Sequence, residues 1–363
     1  MALQCLFASA VAAHEIEASV IDLSTGPGQV TLVVETNLEA RLAGIGAEHD
    51  NTETAPQKNE YDALRALAPA ALSSRVTDAF ANRILVTAGA DRVPLRVEKI
   101  DVPEAPDLDL ARMSRVALVG DLPDGTASLT LAVDTDFGDL ILRGTGANAD
   151  YSEYLQPGQT SKAIAVEGGT KLGFWETFRQ YLFVGFEHIV PLGLDHILFV
   201  IGLFLLDPRW RSLLWQVSAF TLAHTVTLAL ATLDIVRVPG EIVEPLIALS
   251  IVYIAVENVV AGGWKPWRPV LVFAFGLLHG LGFASVFEAY GIPEGQLVAS
   301  LLAFNIGVEI GQLAVLAGCF LVLGAFRSKA WYRPGVAVPL SLAIAAVGAW
   351  WLAERTGILP FAA

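Results

Sequence analysis

The 363-residue chain has only two cysteines, two methionines and fewer basic than acidic residues, and each shortage closes a class of function. Cys5 and Cys319 lie in separate apolar stretches, so no structural disulfide is expected. Without clustered thiolates or thioethers, a soft Cu(I) site is disfavoured. There is no Gly-rich phosphate loop, no CxxC and no G-x-S-x-G, which argues against nucleotide-driven transport by this chain alone. With 37 Asp and Glu against 23 Lys and Arg, the net charge of −14 excludes a basic footing for nucleic acid. Charged residues make up only 17% of the chain, hydrophobic residues 54%, and the mean hydropathy is +0.55. That is too apolar for an ordinary soluble protein, and the length suits two domains.

The apolarity is uneven. Residues 1–172 carry 25 acidic and 13 basic residues, while the long apolar runs lie in residues 173–363. Met1–Ala13 is a short apolar run ending Ser9-Ala-Val-Ala-Ala13, which reads as a secretory signal with an A-x-A-like cleavage site. Residues 14–172 then read as a β-rich, sandwich-like domain. Glu15–Leu23 and Gln29–Glu35 flank the turn Ser24-Thr-Gly-Pro-Gly28, and further strands are expected at Pro94–Val102, Ser114–Val119, Ser128–Val133, Asp139–Arg143 and Ala163–Val166. Tyr61–Leu85 has helical spacing and reads as a helical insertion near residues 60–85, broken at Pro69.

From residue 173 onward the pattern predicts an all-α membrane bundle of six transmembrane helices, at about 180–206, 212–235, 241–262, 268–288, 296–325 and 335–353. Arg209 and Arg211, Lys265 and Arg268, and Arg327, Lys329 and Arg333 occupy alternate loops. Cytoplasmic loops are the basic ones, so both termini are expected outside an inner (plasma) membrane, with the β-rich domain as an extracytoplasmic head. The lipid bilayer is thus one partner, and the head offers a surface for an extracytoplasmic protein.

Four of the six histidines stand inside these apolar runs. In Gly185-Phe-Glu-His-Ile-Val-Pro-Leu-Gly-Leu-Asp-His196, a continuous helix would put His188 and Asp195 about 20° apart and His196 roughly 80° from His188. Pro191 removes one helical donor and is expected to kink the span. His224, His279 and Glu309 each sit mid-span, at a depth matching His196, so four helices can present ionisable groups at one level. Burying such groups costs roughly 2.5 kcal/mol or more each, so they commonly face a bundle interior and carry function. Imidazole with carboxylate suits nickel, cobalt or zinc, although buried His, Asp and Glu also relay protons or bond neighbouring helices. Glu187 and Glu244 towards the outer ends, Glu257 towards the inner end, and Asn305 one turn before Glu309 are auxiliary candidates. His14 would become the amino-terminal residue after cleavage, where amine and imidazole can chelate; its plain alternative is the start of the first strand. His49, between Glu48 and Asp50, reads as solvated.

With these residues assembled, the membrane half resembles the HupE/UreJ family, over about residues 174–325. The carriers are Gly185–His196, Phe220-Thr-Leu-Ala-His-Thr225, Phe275-Gly-Leu-Leu-His-Gly-Leu-Gly-Phe283 and Phe304-Asn-Ile-Gly-Val-Glu309. In particular it is similar to the branch with a signal peptide and an extracytoplasmic head. The resemblance implies nickel or cobalt uptake and makes His188, Asp195 and His196 metal ligands. Here the proline follows His188 by three residues instead of adjoining it, and simpler members lack the head.

The expected function is a divalent-metal permease whose ion sits among His188, Asp195, His196, His224, His279 and Glu309. Three alternatives use the same residues: an intramembrane metalloenzyme keeping an open metal position beside an acid, a haem-binding electron carrier, and a non-transporting metal-handling or assembly protein.

Overall fold

A computed structural model describes residues 19–46, 52, 55–104, 112–138, 140–260, 265–284, 287, 292 and 296–358. The expected signal segment, His14 and His49 lie outside these residues. Contacts divide the chain into two compact units, one made mainly of the residues up to Gly173 and the other mainly of those from Phe174 onward.

The first unit is built on ten strands among the described residues. They are β1 Ser19–Gly26, β2 Gln29–Asn37, β3 Ile84–Ala88, β4 Asp91–Val93, β5 Leu95–Asp101, β6 Met113–Asp121, β7 Ser128–Val133, β8 Leu140–Gly144, β9 Ser152–Leu155 and β10 Ile164–Ala165. One sheet runs β5-β6-β2-β1-β8-β9 and the other β10-β7-β3-β4. Every strand pair is antiparallel except β1 with β8. In β1–β2, Gly26 pairs with Gln29, leaving Pro27-Gly28 as the turn, with Gly28 at φ +69°. Proline presets the first turn position and only glycine adopts the second without strain. Period-2 patterning then decides the faces: Val30, Leu32 and Val34 are buried with Ile21, Leu23, Val116, Leu118, Leu131 and Leu142 in one core.

The helical insertion is shorter than its periodicity predicted. After α1 Leu38–Ala43, which precedes it, the insertion comprises α2 Lys58–Arg65, α3 Pro69–Ser73 and α4 Asp78–Ala81. Ile84 and Leu85 belong instead to β3, because alternation from Ile84 buries Ile84, Val86 and Ala88 against the core, a gain that helical continuation would lose. Asn37 starts α1 by accepting from the Ala40 amide at 3.1 Å. Behind α1, fully buried Glu39 accepts from Arg112 Nε at 2.7 Å, with Arg65 Nη1 3.5 Å away.

The second unit is helical: α5 Phe174–Glu187, α6 Leu194–Leu206, α7 Trp210–Thr232, α8 Gly240–Val260, α9 Arg268–Gly282, α10 Leu297–Leu323 and α11 Val338–Arg355. Among the described residues, four helices are long and apolar enough to cross a membrane: α7, α8, α10, and α11 with the π-helical turn Arg333–Ala337 that leads into it. At about 1.5 Å per residue, the 23 residues of α7 reach roughly 35 Å against a hydrocarbon core of about 30 Å.

The first expected span, 180–206, is not one helix. It is α5 of 14 residues and α6 of 13, separated by 188–193. Pro191 has no amide to continue the ladder, and a side chain at Gly193 would meet the His188 carbonyl. The Val190–Pro191 peptide is cis. Even so, the two pieces run end to end along α10 in the same direction. Gly185 lies against Phe304, Ile189 against Gly311, and Phe204 against Phe320 at 5.0 Å between ring centroids. Likewise α9 runs parallel to α7, Gly276 meeting Phe220 and Gly280 meeting His224, whereas α11 runs antiparallel to α8 through Ser341 with Asn258 and Arg355 with Glu244.

Candidate metal centre

The break between α5 and α6 sets the geometry of the centre. With the helix interrupted, His188 and His196 do not occupy separate faces of one cylinder; their rings meet edge to face, 4.7 Å between centroids. Asp195 falls in the first turn of α6, where the helix dipole favours a carboxylate, and its Oδ1 accepts from the His196 amide at 2.7 Å and from His196 Nδ1 at 2.9 Å. A carboxylate on Nδ1 leaves the lone pair on His196 Nε2, and that nitrogen lies 3.3 Å from His279 Nδ1. Two ring nitrogens at that distance share either a proton or an ion.

Close helix approach brings in the remaining rings. Side chains at Gly276 or Gly280 would strike the α7 backbone at Phe220 and His224, so these glycines let α9 carry His279 against α7. His224 is fully buried, its ring 5.8 Å from His188 and 6.0 Å from His196. Asn305 of α10 orients it. Asn305 Nδ2 donates to the Leu301 carbonyl at 2.8 Å, so Oδ1 faces His224 Nδ1 at 3.1 Å. An amide oxygen only accepts, which places the ring proton on Nδ1 and the lone pair on Nε2. Both His224 Nε2 and His188 Nε2 are buried without a hydrogen-bond partner. Buried polar atoms are almost always satisfied, so two orphaned imidazole nitrogens facing one space mark a place for a ligand.

Two sets of donor atoms result, sharing His196: His188, His196 and His224, and Asp195, His196 and His279, each with its atoms within 4.8 Å of one another. Nitrogen donors about 2.0–2.1 Å from zinc are separated by roughly 3.4 Å in a tetrahedron, close to the 3.3 Å between His196 Nε2 and His279 Nδ1. Phe199, Phe220, Phe283 and Phe304 wall the site, with Phe283 packed 3.9 Å from the His188 ring. Such walls exclude water and strengthen any charge interaction inside.

The structure therefore brings together His188, Asp195, His196, His224 and His279. Glu309 stands outside both sets, half-buried, its Oε1 accepting from Ser218 at 2.6 Å. Asn305 touches the centre through His224. Glu244 is exposed, and its carbonyl receives Arg355 at 3.1 Å. Glu257 lies elsewhere, 3.6 Å from the fully buried guanidinium of Arg268. Glu187 closes α5 just before His188. Ser250 was missed by sequence reasoning: its Oγ lies 3.2 Å from His279 Nε2. Its signal was an isolated hydroxyl in an otherwise apolar run.

A family model described as HupE / UreJ protein matches residues 165–355, more than half of the chain. The chain belongs to the HupE/UreJ family. Membership makes it a multi-pass membrane protein of a family associated with nickel and cobalt transport, and implies transition-metal handling. Comparison with curated proteins and with solved structures gave no match. The matched HupE/UreJ region contains every residue of the centre.

Proposed function

We propose that this HupE/UreJ protein is a divalent transition-metal permease of the nickel and cobalt type, whose ion binds His188, His196 and His224 and is handed towards Asp195 and His279. The observation that carries the reading is the pair of buried, partnerless nitrogens of His188 and His224 beside the Asp195-held His196. Donors from α6, α7 and α9 and from the break between α5 and α6 form a shell that has no packing role as strong as its desolvation cost. Imidazole and carboxylate match borderline first-row cations, and neutral rings bind them, so loading releases protons and affinity rises with pH.

In this reading α5 with α6 forms one discontinuous crossing and the shorter α9 a further crossing, so the chain crosses the membrane six times. Discontinuous helices at a substrate site are a recurrent transporter device, since broken backbone is tolerated where it lines a cavity. The basic ends of the helices face the cytoplasm of an inner membrane, and the β-rich unit lies outside as a head behind a signal peptide. Glu187 and Glu244 flank the route from that side.

The test is accumulation of radiolabelled nickel, cobalt and zinc by cells expressing the parent or the His196→Ala variant at equal membrane levels. Loss of uptake of one of these ions supports the reading; parental uptake of all three overturns it.

A further inference from the structure

At the end of the helical unit where α6 gives way to α7, Pro208, Arg209, Trp210, Arg211, Ser212 and Trp215 line an open groove with Pro269 of α9 and Arg327 and Ser328 beyond α10, about 810 Å³ in volume. Its charge is unbalanced. Arg209 is engaged bidentately by Asp207, Nε to Oδ1 at 2.6 Å and Nη2 to Oδ2 at 2.9 Å. Among the described residues, neither Arg211 nor Arg327 has a carboxylate within ion-pair distance; Arg327 instead donates to the Pro208 carbonyl at 3.4 Å and lies over the Phe320 ring at 5.5 Å. Two uncompensated guanidiniums thus flank one groove, with two serine hydroxyls beside them.

The apolar side of the groove is equally unpartnered. Trp210 and Trp215 are 60% and 77% exposed, and Trp215, Leu222 and Val226 fall on one face of α7 at i, i+7 and i+11, all exposed. A tryptophan belt marks the bilayer interface, and the stripe below it faces hydrocarbon. A ligand that fits both halves has a phosphate at one end and an acyl chain at the other.

We infer that this groove is a binding site for an anionic phospholipid. The phosphodiester lies between Arg211 and Arg327, the serine hydroxyls donate to it, and an acyl chain follows the Trp215–Leu222–Val226 stripe. Basic recesses between transmembrane helices bind such headgroups, and arginine suits phosphate because its fork bonds two oxygens at once. A zwitterionic lipid loses this advantage because its own cation meets the same two arginines. Free phosphate keeps the charge but gains nothing from the apolar stripe.

The full-length protein, delipidated in mild detergent, is titrated with phosphatidylglycerol, phosphatidylcholine or inorganic phosphate, and bound adducts are read by native mass spectrometry. Phosphatidylglycerol is expected to bind the parent at least tenfold more tightly than phosphatidylcholine. At about 1 kcal/mol per cation near a charged surface, Arg211→Gln and Arg327→Gln should each weaken it about fivefold. Arg211→Lys with Arg327→Lys keeps the charge and should retain most of the binding, which separates a charge effect from a folding defect. Equal affinity for both lipids, no loss in the glutamine variants, or phosphate binding as tightly as phosphatidylglycerol would overturn the proposal.

Discussion

Asn305 offers the sharpest test of the centre because it touches no proposed ion, yet it determines which nitrogen of His224 is available to one. Its Nδ2 is committed to the Leu301 carbonyl at 2.8 Å, and its Oδ1 takes the Nδ1 proton of His224 at 3.1 Å. Asn305→Leu keeps the branched shape and the burial but removes the acceptor, together with the donor to Leu301. His224 then gains nothing from the Nδ1–H tautomer, and the lone pair can move away from the space it shares with His188 and His196. Partners that orient metal-ligating histidines are worth about 10–100-fold in affinity, which corresponds to roughly 1.4–2.8 kcal/mol. Titration calorimetry of the detergent-purified protein with nickel, cobalt and zinc should show a weakening in that range with unchanged helical circular dichroism. Asn305→Asp restores an acceptor on the same branch and should recover most of the loss. An Asn305→Leu protein that binds within twofold of the parent, while His196→Ala does not bind, would refute the role assigned to His224 Nε2.

Other perturbations follow from the same contacts. A methyl at Gly185 would strike the Phe304 carbonyl, so Gly185→Ala should push α5 off α10, cost about 1–3 kcal/mol and lower the thermal unfolding midpoint; an unchanged midpoint would contradict the close approach. In the β-rich unit, Glu39→Gln leaves the buried Arg112 guanidinium without its carboxylate and should destabilise by about 3–5 kcal/mol, seen as faster amide exchange in β2 and β6; unaltered exchange there would remove Glu39 from the ion pair. Burial, and then the neighbouring Glu153 carboxylate, push the Tyr151 phenol far above its ordinary 10.0. A raised folded value favours the protonated form, so this contribution is complete below pH 10.0 and is lost as the pH climbs above it. Ultraviolet titration of the parent minus Tyr151→Phe should show no phenolate near pH 10 before unfolding, and one that does would disprove it.

The parts of the molecule legible in the chain are those governed by local chemistry. Alternation in Gln29–Glu35 and the Pro27-Gly28 turn foretold the first hairpin, because strand period and turn conformation depend on neighbours in sequence. Ile84 was absorbed into a helical pattern because Phe80 lies four residues before it, and only the pairing of β3 with β7 shows which period prevails. Pro191 was legible as a kink but not as a break of several residues. A missing amide can be absorbed by a bend or by ending the helix, and the packing of α5 and α6 along α10 decides between them.

The sequence by itself determined that ionisable groups are confined to a few positions within long apolar runs, since hydropathy and charge need no neighbours to be read. It also carried the HupE/UreJ family pattern. Tertiary structure decided which of those groups meet. Glycine contacts set α9 on α7 and α10 on α5, the helix break turned His188 towards His196, and Glu309, at a similar expected depth, was directed to Ser218 instead. Depth along a helix follows from residue number, but azimuth after a break and distance between helices follow only from packing.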